Sequence, residues 1–74
     1  MKRLLRLTIP STVAKRPIIY EIVTKYNLKP NIIEADLAED HTGKVILELD
    51  GQPIDLERGI LYLKELDIEV ESLE

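Results

Sequence analysis

The sequence of 74 residues contains no cysteine, no tryptophan and no phenylalanine, and it has only three glycines. Without cysteine, the chain cannot form a disulfide, a thiolate metal site, an iron–sulfur cluster or a cysteine nucleophile. It also lacks any apolar run near the ~18 residues of a membrane-spanning helix, and its first residues, Met1-Lys2-Arg3, do not lead into the apolar core of a signal peptide. We therefore expect a cytoplasmic protein without direct membrane insertion, either complete or cut as an isolated domain.

Aromatic side chains are limited to Tyr20, Tyr26 and Tyr62, all in predicted helices. A sheet that binds RNA needs aromatic residues on its central strands, where bases stack. The net charge of −4 also argues against nucleic-acid binding, because a protein needs a basic surface to neutralise phosphates. We expect no nucleic-acid partner.

Charge is distributed unevenly along the chain. Residues 1–30 hold seven basic residues and one acidic residue, a net charge of +6, whereas residues 31–74 hold three and thirteen, a net charge of −10. The simplest interpretation is complementarity inside one fold, in which a basic first strand pairs with acidic later strands. Attraction between subunits is the alternative.

The pattern of apolar residues predicts one continuous domain, residues 1–74, with six elements. Alternation of apolar and polar residues indicates strands, and prolines followed by apolar residues at helical spacing indicate helix starts. The predicted elements are a strand Lys2 to Ile9, a helix from Pro17 to Tyr26, a strand Asn31 to about Glu39, a strand Lys44 to Asp50, a helix from Pro53 and a strand Ile68 to Leu73.

This order predicts a ferredoxin-like α+β fold, a two-layer sandwich with both helices on one face of a four-stranded antiparallel sheet. Right-handed crossovers favour the strand order 4-1-3-2. Gly43, in the predicted turn before the third strand, is able to adopt a positive φ. Gly59 is expected to mark a close approach of the second helix to the sheet. In the second strand, strict alternation would place Ile33, Ala35 and Leu37 on one face and Ile32, Glu34 and Asp36 on the other.

Candidates for catalysis are weak. His41, the only histidine, lies in a predicted turn without a nucleophile beside it, so a solvated turn residue is favoured over a metal ligand or proton-transfer group. Asp36, Glu39 and Asp40 could share a hard cation, but a charged edge strand is the commoner explanation. We expect no enzyme, no catalytic residue, no metal site and no cofactor.

The sheet face opposite the helices is the predicted contact surface. Leu4, Ile32 and Ile46 on neighbouring strands would form an apolar patch that a partner could cover. We therefore expect a two-fold homodimer formed through this face or an adjacent edge. The residues predicted at this interface are Leu4, Arg6, Ile32, Ile46 and Glu48.

Asn31 has two interpretations. After Pro30 it is a good turn residue, whose side chain can bond nearby backbone. Its amide also offers a donor and an acceptor between the second strand and the first helix, which suits a zwitterionic ligand.

The segment from Tyr26 to Ala35, containing Asn31-Ile32-Ile33, together with Gly43 and the apolar strand after it, resembles the NIL domain family, named for Asn-Ile-Leu at that position. Ile33 replaces the family's leucine, a swap that keeps volume and apolarity. The resemblance implies a ferredoxin-like domain that occurs at the C-terminus of the ATP-hydrolysing subunits of methionine importers, where it pairs and binds methionine to slow transport. Related versions are fused to ferredoxin-type domains or stand alone.

Carried over to this chain, the resemblance places Asn31, Ile32 and Ile33 at or near a ligand pocket or dimer contact. The resulting hypothesis is a non-enzymatic, dimeric sensing domain that binds methionine or a related sulfur amino acid. The alternative is an assembly domain without a small ligand, which docks onto a transporter or a sulfur-metabolism enzyme subunit.

Overall fold

The structure, a computed structural model, describes all 74 residues and has the predicted order of six elements. These are β1 (Lys2–Ile9), α1 (Ile18–Tyr26), β2 (Lys29–Leu37), β3 (Gly43–Asp50), α2 (Pro53–Glu65) and β4 (Glu69–Ser72). Every strand pair is antiparallel, and the order β2-β3-β1-β4 is the predicted order seen from the other edge. The ferredoxin-like α+β architecture is confirmed.

One apolar core lies between the sheet and the helices. The central strands β1 and β3 pair so that Leu5 lies opposite Leu47 and Leu7 opposite Val45. Burying a leucine or isoleucine side chain stabilises a fold by about 1.5–3 kcal/mol. Because both helices contribute to this one core, they pack on the same face of the sheet. The buried core residues are Leu5, Leu7, Ile9, Ile18, Ile22, Leu28, Leu47, Leu49, Leu56, Leu63 and Ile68.

The opposite side of the sheet, here called the open face, carries pairs of opposite charge. Arg6 Nη1 lies 2.6 Å from Glu71 Oε1, and Lys2 Nζ lies 3.8 Å from Glu48 Oε1. Basic residues of β1 therefore pair with acidic residues of β3 and β4, which confirms charge complementarity inside the fold. Each such exposed pair contributes only about 0.2–1 kcal/mol.

Both helices follow a proline signal and end at a left-handed residue. Pro17 immediately precedes α1, and Pro53 is the first residue of α2, a position where its missing N–H is not needed. Asn27 follows α1 with φ of 55°, and Asp67 follows α2 with φ of 65°. The N–H groups of Asp67 and Ile68 donate to carbonyls of the last α2 turn, which gives the Schellman arrangement.

Gly59 lies in a tight contact, but with a different partner from the one predicted. A Cβ atom at Gly59 would lie 2.5 Å from Leu28 Cδ1. Leu28 belongs to the short link between α1 and β2, so α2 approaches this link and not a strand. The predicted apolar stripe of α2 does face the core, with its members buried or half-buried: Leu56, Ile60, Leu63 and Leu66.

β2 departs from strict alternation. Ile32 pairs with Leu47 and Glu34 with Ile46, so Ile33 is an extra residue at a β-bulge. Since paired residues share a face, Ile32 lies on the helix side with Leu47. The prediction that Ile32 lies on the open face beside Ile46 is therefore wrong, because the bulge reverses the alternation before it.

The β2–β3 turn also differs from its prediction. β2 ends at Leu37, two residues before the predicted Glu39. No glycine has a positive φ, and His41 occupies the left-handed conformation instead, with φ of 68°. The Asp40 carboxylate accepts a hydrogen bond of 3.0 Å from the Thr42 N–H, so the tight part of the turn centres on His41. Gly43 is already in β3.

Candidate functional site

β2 is an edge strand whose outer side has no partner. It pairs only with β3, and nine residues of its backbone border solvent. Pro30 in its first half has no N–H to donate, as is common in edge strands. The later half carries Glu34 and Asp36, whose charges limit uncontrolled edge-to-edge association.

The side chains of β2 are as accessible as its backbone. Every residue from Asn31 to Asp40 is exposed. Three of them are large and apolar, with exposed fractions of 51% for Ile32, 59% for Ile33 and 63% for Leu37. Apolar side chains on an unpaired strand edge are typical of a surface that another chain covers.

The three residues implied as ligand contacts lie together on this edge. Asn31 pairs with Glu48 and so lies on the open face, Ile32 lies on the helix side, and Ile33 lies at the bulge. None of them lines a cavity in the single chain. The Asn31 amide makes no hydrogen bond within the chain, so local bonding does not account for it.

A groove lies on the helix side at the other end of β2, between that strand and the β1–α1 loop. Its inner part has a volume of about 320 Å³, and its outer part has a volume of about 450 Å³. Ala14 and Leu37 border both parts. The remaining residues of the inner part are Ile9, Ala35, Asp36, Gly43 and Val45, and those of the outer part are Ser11, Lys15 and His41.

The chemistry of this groove is apolar at the floor and polar at the rim. Ile9, Ala35 and Val45 supply aliphatic surface, while Lys15 and His41 border the outer part. Asp36 borders the inner part as well, so a site of this kind suits a small molecule that has an apolar group and charged groups of both signs. Sequence reasoning did not find the groove. The only sequence feature that could have indicated the groove is the alternation of Ala35 and Leu37, which places two apolar residues on one face of a strand that no helix fully covers.

The open face is more polar than predicted. Leu4 lies opposite Glu48, and Arg6 lies opposite Ile46, so these four residues are neighbours as expected. Leu4 and Ile46 are only half-exposed, and the charged residues beside them already have partners. With Ile32 on the other side of the sheet, the apolar patch of the open face is small.

A polar network that sequence reasoning missed joins the β1–α1 loop to both helices. Arg16 Nε and Nη2 donate to the two Glu21 carboxylate oxygens at 2.8 and 3.0 Å, and Nη2 also donates to the Tyr62 hydroxyl at 2.9 Å. The hydrogen bonds from Arg16 lower the pKa of Glu21, and Glu21 in turn raises the pKa of Arg16. Lys25 Nζ lies 3.6 Å from Glu21.

No group of three or more His, Asp or Glu side chains converges to hold a metal ion, and His41 is exposed in its turn. None of the helices has the length and apolar character needed to cross a membrane.

Comparison with known proteins identifies the family. The sequence pattern of the NIL domain matches residues 3–72. The chain belongs to the NIL domain family. The resemblance carried by Asn31-Ile32-Ile33 is thus confirmed for this NIL domain.

The curated relatives include methionine import ATP-binding proteins. The protein MetN of Lacticaseibacillus paracasei is 34% identical over 96% of this chain and 21% of its own length. MetN of Coxiella burnetii is 36% identical over 95% of this chain and 21% of its own length. The NIL domain therefore spans about a fifth of the length of these relatives. An uncharacterised Synechocystis protein is 31% identical, over 89% of this chain and 69% of its own length.

A solved structure has the same fold. It is the C-terminal domain of an ABC transporter ATP-binding protein from Enterococcus faecalis, with a TM-score of 0.83 and 27% identity. The match covers 96% of this NIL domain and 82% of that chain.

Proposed function

We propose that this NIL domain is a regulatory domain that binds methionine or a related sulfur amino acid as a homodimer and catalyses no reaction itself. Two relatives are named as methionine import ATP-binding proteins, which supports a role beside a transporter subunit in the cytoplasm. The observation that carries the proposal is the unpaired β2 edge, which joins exposed apolar residues, a free asparagine amide and an apolar groove.

The second copy is expected to pair through β2. Two-fold symmetry requires the two β2 strands to run antiparallel, which would extend the two sheets into one. Lys29 lies at the start of β2 and Asp36 near its end. Antiparallel pairing would bring Lys29 of each copy near Asp36 of the other, whereas parallel pairing would bring like charges together. The open-face residues around Leu4 and Ile46 are the alternative contact.

Pairing of this kind would also complete a ligand site. Antiparallel pairing keeps the helix sides of the two copies on one face of the joined sheet, so it would bring Ile32 of one copy toward Ala35 and Leu37 of the other. The groove would bind the apolar thioether side chain of the amino acid. Lys15 would attract the carboxylate of the same amino acid. The Asn31 amide, which can donate and accept, lies on the open face and would support the paired edge by bonding to the partner strand. Ile32 and Ile33 would border the ligand site.

The expected mechanism is population shift. A ligand that contacts both copies binds the paired arrangement better than any other, so it favours that arrangement by its difference in affinity. A transporter or enzyme subunit attached to the domain would respond to the changed pairing.

The alternative proposal is an assembly domain without a small ligand. The open shape of the groove and the exposed edge favour it, since a strand of another subunit could pair with β2 directly. Under this alternative, the partner is a transporter subunit or an enzyme of sulfur metabolism.

The test is thermal unfolding of the purified domain with millimolar methionine, with homocysteine, cysteine and leucine as comparisons. A ligand of the folded state at 100 times its Kd stabilises by about 2.7 kcal/mol, which is a rise of roughly 10 °C or more for a domain of this size. Asn31→Ala should reduce the rise, because it weakens the paired edge that borders the groove. No rise with any amino acid would favour the assembly domain.

A further inference from the structure

Arg16 holds the end of the β1–α1 loop against both helices. Its guanidinium makes the three hydrogen bonds to Glu21 and Tyr62 described above, and the Arg16 and Tyr62 positions are 46 residues apart in sequence. Bidentate pairs of arginine and carboxylate have a fixed geometry that most surface ion pairs lack. We call these three residues, Arg16, Glu21 and Tyr62, the clamp.

The Glu21 carboxylate of the clamp is more enclosed than the carboxylates of the other ion pairs. The Glu21 side chain is 14% exposed and the Arg16 side chain 42%, whereas the Glu71 side chain is 60% exposed. The Tyr62 ring packs against the Tyr26 ring, with centroids 5.1 Å apart. Because this packing orients the Tyr62 ring on α2, it also positions the Tyr62 hydroxyl that Arg16 contacts.

The clamp continues directly into the groove wall. Lys15 and Ala14, the two residues before Arg16, border the groove. Backbone hydrogen bonds connect the same segment, from the Arg16 N–H to the Val13 carbonyl at 3.0 Å and from the Ile18 N–H to the Arg16 carbonyl at 2.8 Å. Arg16 is therefore joined to the groove wall by the chain and by these bonds, although neither Arg16 nor Tyr62 borders the groove.

We propose that the clamp positions the β1–α1 loop and thereby sets the width of the groove. Arg16, Glu21 and Tyr62 are positioning residues, which act on a ligand through Ala14 and Lys15 without touching it. This inference rests on the proposed function for its ligand, but the effect on the loop belongs to the unliganded domain.

The test compares Tyr62→Phe with Tyr20→Phe. Both changes remove one tyrosine hydroxyl, but Tyr20 is 67% exposed and its hydroxyl makes no hydrogen bond within the chain. Amide hydrogen exchange is measured for residues 13–16 in the unliganded variants, with α2 amides as the reference for global opening. Tyr62→Phe should speed exchange of the loop about three- to tenfold, as loss of one hydrogen bond predicts, and Tyr20→Phe should not.

The affinity for methionine is then measured by calorimetry for both variants. Tyr62→Phe should weaken binding by a similar factor while dimer formation stays unchanged. Unchanged loop exchange in Tyr62→Phe, or faster exchange with unchanged affinity, would overturn the inference. Failure of the unmodified domain to bind any amino acid would overturn the proposed function, and the exchange data would still decide whether the clamp holds the loop.

If Tyr62→Phe lowers global stability enough to obscure the loop, Arg16→Lys provides the second variant. Lysine keeps the positive charge but loses the bidentate geometry. The same increase in loop exchange is expected. Loop exchange equal to that of the unmodified domain would contradict the role of Arg16.

Discussion

The Leu28 side chain occupies the space that a Cβ atom on Gly59 would need. The Leu28 Cδ1 atom would lie 2.5 Å from that Cβ, and its Cδ2 atom would lie 2.7 Å from a Cβ on Gly51. Leu28 is 1% exposed, so neither methyl group has free space in which to move. The absence of a side chain at Gly51 and at Gly59 thus leaves room for Leu28. This packing fixes the link between α1 and β2 against α2.

Gly59→Ala is expected to destabilise the domain by about 1–3 kcal/mol, the usual cost of overpacking a core. The better helix propensity of alanine offsets at most about 1 kcal/mol of this cost. Urea unfolding at neutral pH measures the change.

A double-mutant cycle with Leu28→Ala separates these two effects. Leu28→Ala alone should cost about 2–5 kcal/mol, but it removes the clash, so Gly59→Ala should then be neutral or stabilising. If Gly59→Ala costs the same in both backgrounds, contact with Leu28 is not the reason for glycine at this position.

Ile33→Lys is expected to disrupt the proposed dimer. Light scattering at tens of micromolar should give a dimer for the unmodified domain and a monomer for Ile33→Lys. Burial of an unpaired charge at the β2 edge should raise the dimer Kd by more than about tenfold. Leu61→Lys is the matched control, because Leu61 on α2 is 56% exposed and Ile33 is 59% exposed.

Dimer formation through the open face is the competing hypothesis. If Ile46→Glu breaks the dimer and Ile33→Lys does not, the contact lies on the sheet face and the β2 proposal is wrong. A monomer for the unmodified domain at this concentration would contradict both arrangements.

Acid should weaken the clamp. The hydrogen bonds from Arg16 lower the pKa of Glu21 below its ordinary value of 4.5, so the ionised form stabilises the folded state above that pH. This stabilisation is lost as pH falls through the lowered folded-state value. Asp40, whose pKa is lowered by its bond to the Thr42 N–H, acts in the same direction.

Glu21→Gln is expected to reduce the loss of stability between pH 7 and pH 3, measured as the shift in urea midpoint, because glutamine does not titrate. Asp40→Asn should remove only the contribution of Asp40. An acid-induced loss in Glu21→Gln as large as that of the unmodified domain would refute the assignment to Glu21.

Asp67→Gly is expected to stabilise the domain by about 1 kcal/mol. Asp67 has φ of 65°, a conformation that glycine adopts without the Cβ clash and that aspartate tolerates better than most residues. The change also removes a negative charge from the C-terminus of α2, where the helix dipole disfavours it. Asp67→Asn is the control, since it removes the charge but keeps the Cβ atom. Equal midpoints for Asp67→Gly and Asp67→Asn would assign the effect to charge alone.

The predictions from sequence succeeded where the signal was local. The alternation of Lys2 to Ile9 gave β1 with its correct bounds, and the prolines at 17 and 53 marked both helix starts. The strand order followed from these elements and from the handedness of crossovers. A close contact at Gly59 was also predicted from sequence, because glycine inside a helix lowers stability unless close packing requires it. The contacting residue, Leu28, was not predicted.

The candidate site was predicted only in part. Asn31, Ile32 and Ile33 were placed by a family motif, and all three lie on an exposed edge strand; their contact with a ligand or a second copy stays a prediction. Their faces could not be predicted, because the bulge at Ile33 exists only in the pairing of β2 with β3. The groove could not be predicted either, because its walls come from Ala14 and Leu37, which meet only after the sheet has formed.

The sequence by itself determined the order of elements and the absence of thiol chemistry. These depend on composition and on periodicities of two or 3.6 residues, which are properties of short segments. The tertiary structure alone decided the register of β2, the groove beneath the β1–α1 loop and the clamp between Arg16 and Tyr62. These features depend on distances between segments far apart in the chain, and packing, not local periodicity, sets those distances.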